Sequence, residues 1–367
     1  MREIAISKLI EKSFNRTIMM LFDPFSARRW LALLLIGILS GAFSVGNFGV
    51  KNILGKNNTK QERIEAGAQT QNVAATENRQ VQRKPNFREV VNGAVQKFFN
   101  GKNAVVFILA LWLMLMFMIV MVWLEARFKF VWFHAIVNNL TMIVEPFKKY
   151  RLEGDSLFQF IIVFTISSFA FFLSLVGFGA YSLVSSGVFY GERSAGIIVQ
   201  LIGIFGPLIG VIVVSSLLLY LFYLVVDDFV VSIMAIARCR FLQGYQKFVD
   251  IYKYNRGEIW LYFLIKFGLG IVAGICQGIL GLIGVVISLI AAAVIFGLPY
   301  LLAVVMLKIK AIFIFWVFIF IAPFVAGMAV LMTSITLPFA IFFRCFSLYY
   351  LSSLNCGYRP IPIEELD

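Results

Sequence analysis

Six long apolar runs decide what this chain can become. They lie near 30–50, 104–124, 157–183, 197–226, 260–297 and 311–343, and few or no charges interrupt them. A backbone inside hydrocarbon must satisfy its own hydrogen bonds, so apolar runs of about 18 residues or more read as membrane-spanning helices. Composition agrees: only 14% of the 367 residues are charged, against about 25% in soluble domains. The expected fold class is an all-α integral membrane protein. Six transmembrane helices would form three hairpins, each preceded by a cytoplasmic interfacial amphipathic helix.

The segments between the runs carry the charge. Net charge is +13, placed mostly at span ends and in one loop, a distribution suited to anionic lipid headgroups. No sizeable polar domain exists to concentrate it into a nucleic-acid surface. The expected partners are membrane lipids, with other membrane proteins or a second copy of the chain as further candidates and no nucleic acid. Cys239, Cys276, Cys345 and Cys356 show no paired spacing and read as free thiols. The N-terminus is charged and mixed before a run long enough to span, so it reads as retained rather than as a cleaved signal.

Residues 1–29 have Ile6, Leu9, Ile10, Phe14, Ile18 and Leu21 at helical spacing among Lys8, Lys12 and Arg16. Such a basic amphipathic helix lies in the interface plane. Segment 51–102 is polar and Asn/Gln-rich, too poor in apolar surface to offset its ordering entropy. It reads as a flexible loop with a short helix near 86–99. Segments 125–156 and 227–259 each begin with acids at a span exit, continue as an apolar helix and end in basic and aromatic residues. Glu125 and Asp228 are 103 residues apart, as are Gly154 and Gly257. With the looser "DPFSARRW" (23–30), this suggests three repeated units over 1–124, 125–226 and 227–350, followed by a polar tail 351–367.

Lys and Arg in short connectors set orientation. Arg127, Lys129, Lys148, Lys149 and Arg151 occupy one connector, and Arg238, Arg240, Lys247, Lys253 and Arg256 another. The connectors near 184–196 and 298–310 are poor in both. Both termini are therefore expected in the cytoplasm of a prokaryotic cell, and the protein in its inner membrane. The run 260–307 is about 70 Å long if helical, too long for one perpendicular span. Either it breaks near Gly297–Pro299, or two spans turn near Gly281–Gly284.

"LVVDDFVVSIMAIARCRFLQGYQKF" (224–248), "FGLGIVAGI" (267–275) and "LPFAIFFRCFSLYYL" (337–351) resemble a family of uncharacterised prokaryotic polytopic membrane proteins. That family is loosely similar to the membrane domain fused to some glycerophosphodiester phosphodiesterases. The resemblance implies membership without activity, because the chain has no soluble phosphodiesterase domain.

Among candidate site residues, Asp227 and Asp228 stand out, since carboxylates ending an apolar helix are costly unless paired or wet. They read either as a cation, proton or headgroup contact shared with Arg238 or Arg240, or as acids meeting water at a span boundary. Glu125 is the matching acid after the second span, with Arg127 as a local ion-pair partner. Gln200 and Gln277 are intramembrane amides that need partners. Gly270, Gly274 and Gly278 recur at a spacing that lets helices approach closely. His134 is the only histidine and reads as the polar edge of an interfacial helix. No nucleophile–base–acid set, phosphate loop or metal-ligand cluster appears, and no cofactor is expected. The resulting expectation is a non-enzymatic, permease-like, lipid-handling or scaffold protein. The alternative is a lipid-modifying enzyme using the carboxylates at 125 and 227–228.

Overall fold

The computed structural model describes residues 6–45, 101–185, 194–306, 310–354 and 356–361. Among these, every regular element is helical. The short helix expected near 86–99 lies outside the described residues, as does nearly all of the loop 51–102. The chain divides into two compact units, 1–49 with 122–367, and 50–121.

In chain order the helices are α1 (Ile6–Phe22), α2 (Ala27–Leu39), α3 (Ala42–Val45), α4 (Gly101–Asn138), α5 (Val144–Lys149) and α6 (Arg151–Ser185). They continue as α7 (Ser194–Val225), α8 (Val231–Ala237), α9 (Phe241–Tyr254), α10 (Arg256–Ala292), α11 (Leu298–Tyr300) and α12 (Lys310–Ser353). A π-helical turn over Val226–Val230 joins α7 to α8. Two more, over Ala293–Gly297 and Leu301–Met306, flank α11.

Five helical stretches are long and apolar enough to cross a bilayer: Val105–Asn138, Arg151–Ser182, Phe205–Ala237, Arg256–Val304 and Ile314–Ser353. The run expected as a first span behaves differently over its described part. α2 has only 13 residues, about 20 Å at 1.5 Å per residue, short of a hydrocarbon layer about 30 Å thick. It ends where Gly41 adopts φ 68°, and Phe43 folds back against Gly37. Leu33 and Ile36 of α2 are fully buried in protein.

The other helices exceed what a membrane needs. α12 has 44 residues, about 66 Å. The exposed apolar stretches of these helices, with Phe169, Leu264 and Phe318 as examples, are the parts suited to lipid. In the second unit the described portion of α4, from Val105 to Met121, is likewise exposed and apolar. In the first unit the opposite ends converge on one core. It is built from Ala126–Ile136 of α4, Leu157 of α6, Val226–Ala235, Tyr262 of α10 and Leu337–Leu354 of α12. The first parts of segments 125–156 and 227–259, expected as interfacial helices, are therefore in-line extensions of their spans, as far as Asn138 and Ala237. Phe130, Val131, Phe229 and Val230 there are fully buried.

α1 presents two faces. Leu9, Ser13, Thr17, Met20 and Leu21 are buried and α1 packs along α12. Ser13 and Thr17 donate back to the Leu9 and Ser13 carbonyl oxygens at 2.6 and 2.7 Å, so their hydroxyls are satisfied inside the contact. Phe14 and Phe22 stay exposed, as an interface-lying helix requires.

The long run after Trp260 does not turn at Gly281–Gly284. α10 passes straight through, and the irregular turns bracket Leu298–Tyr300. Pro299 has no N–H to donate, and wide turns carry the helix past it. Gly284 abuts Leu331, Met332 and Ile335 of α12, whereas a side chain at Gly278 would meet open space. Of the expected glycine stripe, Gly270 is buried, Gly274 is half-buried and Gly278 is exposed. Gly284 makes a close approach to α12.

Candidate functional site

Asp227 and Asp228 sit in the π-helical turn inside the core rather than at a water boundary; Asp228 is 3% exposed. Adjacent helical residues diverge by about 100°, so the two carboxylates address different neighbours. Asp227 accepts from Lys129 Nζ of α4 at 2.8 Å. Asp228 accepts from Lys266 Nζ and, at 2.9 Å, from the Tyr262 hydroxyl, both on α10. Arg344 of α12 donates to the Asp227 carbonyl oxygen. One turn thus ties three other helices together, α4 and α10 through its carboxylates and α12 through a backbone carbonyl.

Glu125 joins the same cluster. Its Oε1 accepts from Tyr223 Oη at 2.9 Å and lies 3.6 Å from Lys129 Nζ. Tyr223 Oη in turn accepts from Lys129 at 2.7 Å. The sequence-based partner of Glu125, Arg127, turns elsewhere: it makes a forked contact to Asp155 of α6 at 2.8–3.0 Å and stacks over Trp123. Carboxylates 125 and 227 do converge, and Lys129 is the group between them.

Arg238 and Arg240 do not share the acid pair. Arg238 ends α8 at φ 50°, donates to the Lys149 carbonyl oxygen at 2.8 Å and to Glu153 at 3.2 Å, and covers the Tyr150 ring. This second cluster sits at the α5–α6 corner. With Leu152, Cys239, Arg240 and Gln243, it lines a cleft of about 300 Å³. Burial pushes the Cys239 thiol up from its ordinary value, so it is a poor nucleophile at neutral pH. Gln200 lies in α7 about 40 Å before Asp227 along the helix, and Gln277 is half-buried on α10 about 16 Å beyond Lys266. His134 is buried within α4 beside Asn138 at 3.0 Å, not at an interfacial edge.

The residues that sequence reasoning missed are Lys129, Lys266, Tyr223, Tyr262 and Arg344. Lys266 was the available signal: a single cation inside "LYFLIKFGLG" demands a buried carboxylate. Lys129 read instead as an ordinary orientation marker at a span end.

Above the Glu125–Lys129–Asp227 cluster, a groove of about 520 Å³ runs between α6 and α7. Lys129 and Tyr223 line its lower end, and Leu157, Phe160, Phe164, Phe169, Leu219 and Phe222 its walls, with Thr165 and Ser168 among them. From Leu157 to Phe169 it follows α6 for about 18 Å. A smaller hollow of about 250 Å³ is also lined by Phe222, with Tyr245, Phe248 and Trp260.

Long apolar helices, a largely buried ionic cluster at one end and an aromatic groove beside it define a multi-pass helical membrane protein. The chain belongs to a family of unknown function, DUF7544, which matches it over residues 5–361. No curated protein and no solved structure matches it, and nothing found links it to the phosphodiesterases.

Proposed function

We propose that this protein handles lipid without transforming it, holding an acyl or isoprenoid chain in the groove between α6 and α7. One observation carries this: the groove is mostly apolar and aromatic along its length, with the hydroxyls of Thr165 and Ser168 on its wall, and the one charged residue lining it, Lys129, lies at its floor beside Tyr223. That polarity gradient matches a lipid with its head toward the ionic core and its chain toward the bilayer interior. The enzyme alternative needs available carboxylates, but Asp227, Asp228 and Glu125 are each engaged by a lysine or a tyrosine. Gln277 lies about 16 Å along α10 from Lys266, which gives no support to a permeation path joining it to the acids.

The connector charges support a cytoplasmic site for the ionic core in a prokaryotic inner membrane. α1 and the C-terminal part of α12 share one core, which supports both termini on that side. An even number of crossings follows.

The groove is tested by filling it. Ser168→Trp places an indole between α6 and α7, and electron paramagnetic resonance of a chain-labelled lipid in proteoliposomes reads the immobilised fraction. That fraction should fall relative to wild type and relative to Val163→Trp, which sits on an exposed, lipid-facing position. Equal immobilised fractions in all three proteins would remove the groove as a lipid site.

A further inference from the structure

We infer that the cleft between the α5–α6 corner and the α8–α9 corner is a second, separate site, one that binds the phosphate of an anionic lipid headgroup. Within it, Arg238 and Glu153 neutralise one another at 3.2 Å. Arg240 is different: it is exposed and, among the described residues, its side chain makes no hydrogen bond or ion pair. The Gln243 amide lines the same cleft. The site therefore presents one uncompensated guanidinium, whose planar fork matches a phosphate in two-point contact, with an amide beside it.

Depth and rim select a lipid over a soluble anion. α6 carries Arg151, Glu153 and Asp155 in its first turns and no charged residue from Ser156 to Ser185, so the cleft sits where charge gives way to apolar surface. Leu152, which lines the cleft, and Leu242, two residues after Arg240, are 75% and 71% exposed. Leucines left that open are unfavourable in water and suited to the upper acyl region beneath a headgroup. The cleft stands apart from the α6–α7 groove, shares no lining residue with it, and does not depend on what that groove holds.

The full-length protein in a neutral detergent is titrated with short-chain phosphatidylglycerol, short-chain phosphatidylcholine and inorganic phosphate, with bound lipid counted by native mass spectrometry. Arg240→Gln should weaken phosphatidylglycerol binding about tenfold, the loss of one charge-assisted contact. Lys253→Gln removes the same charge at the far end of α9 and should leave it unchanged. Equal weakening by both variants, or none by Arg240→Gln, overturns the site. Phosphatidylcholine binding as tightly as phosphatidylglycerol overturns the anionic preference. Competition by inorganic phosphate over the same concentration range overturns the lipid in favour of a soluble anion.

Discussion

Lys129 is the residue on which the buried cluster turns. It is 4% exposed and contacts Asp227, Tyr223 and Glu125 at once. Removing one partner of a buried pair leaves the other charge uncompensated, at about 3–5 kcal/mol, whereas replacing both with neutral groups is far milder. Lys129→Met should therefore lower the thermal midpoint in detergent markedly, and adding Asp227→Asn should restore part of the loss. A double variant no more stable than Lys129→Met alone would show that the pair is not what holds α4 to the turn. The acids were legible in the sequence because carboxylates in apolar runs are rare. Their partners were not, since Lys129 lies 98 residues from Asp227 and only packing brings the two side chains together.

At the scale of elements, two glycines that correspond by sequence offset behave differently. A β-carbon at Gly154 would lie 2.8 Å from Arg127 Cγ and 3.3 Å from its Cα, while one at Gly257 meets nothing within 4 Å. Gly154→Ala should force α6 away from α4, loosen the Arg127–Asp155 fork and destabilise the protein. Gly257→Ala should be neutral or stabilising by up to about 1 kcal/mol, through helix propensity. Thermal midpoints of the two variants, side by side, decide this, and matched losses would contradict it. Helical periodicity and connector charge made most of the helices readable. The fate of 125–138 and 227–237 was not readable: an apolar helix with a few charges has the same pattern whether it lies on a bilayer or in a protein core. Burial of the charges by lysine, arginine and tyrosine partners from other helices decides between them.

For the whole molecule, the arrangement of ends makes a topological prediction. Cysteines introduced singly at Glu11, Lys148 and Gln246, all exposed, in a background lacking the native thiols, should react with an impermeant maleimide from the same side of inside-out vesicles. Labelling of position 148 or 246 from the side opposite 11 would dismantle the shared-core layout. Neither outcome depends on which lipid the groove or the cleft holds.

By itself the sequence determined the solvent: runs of apolar residues too long for a soluble core commit the chain to helices crossing lipid, because no other backbone conformation in hydrocarbon satisfies its own hydrogen bonds. It also determined that any charge placed among those runs must find a partner. Which partner, and whether a span continues into protein or stops at water, was decided only by tertiary structure. A salt bridge between Asp228 and Lys266 or a groove between α6 and α7 is a relation between helices, and hydropathy along one helix contains no term for its neighbours.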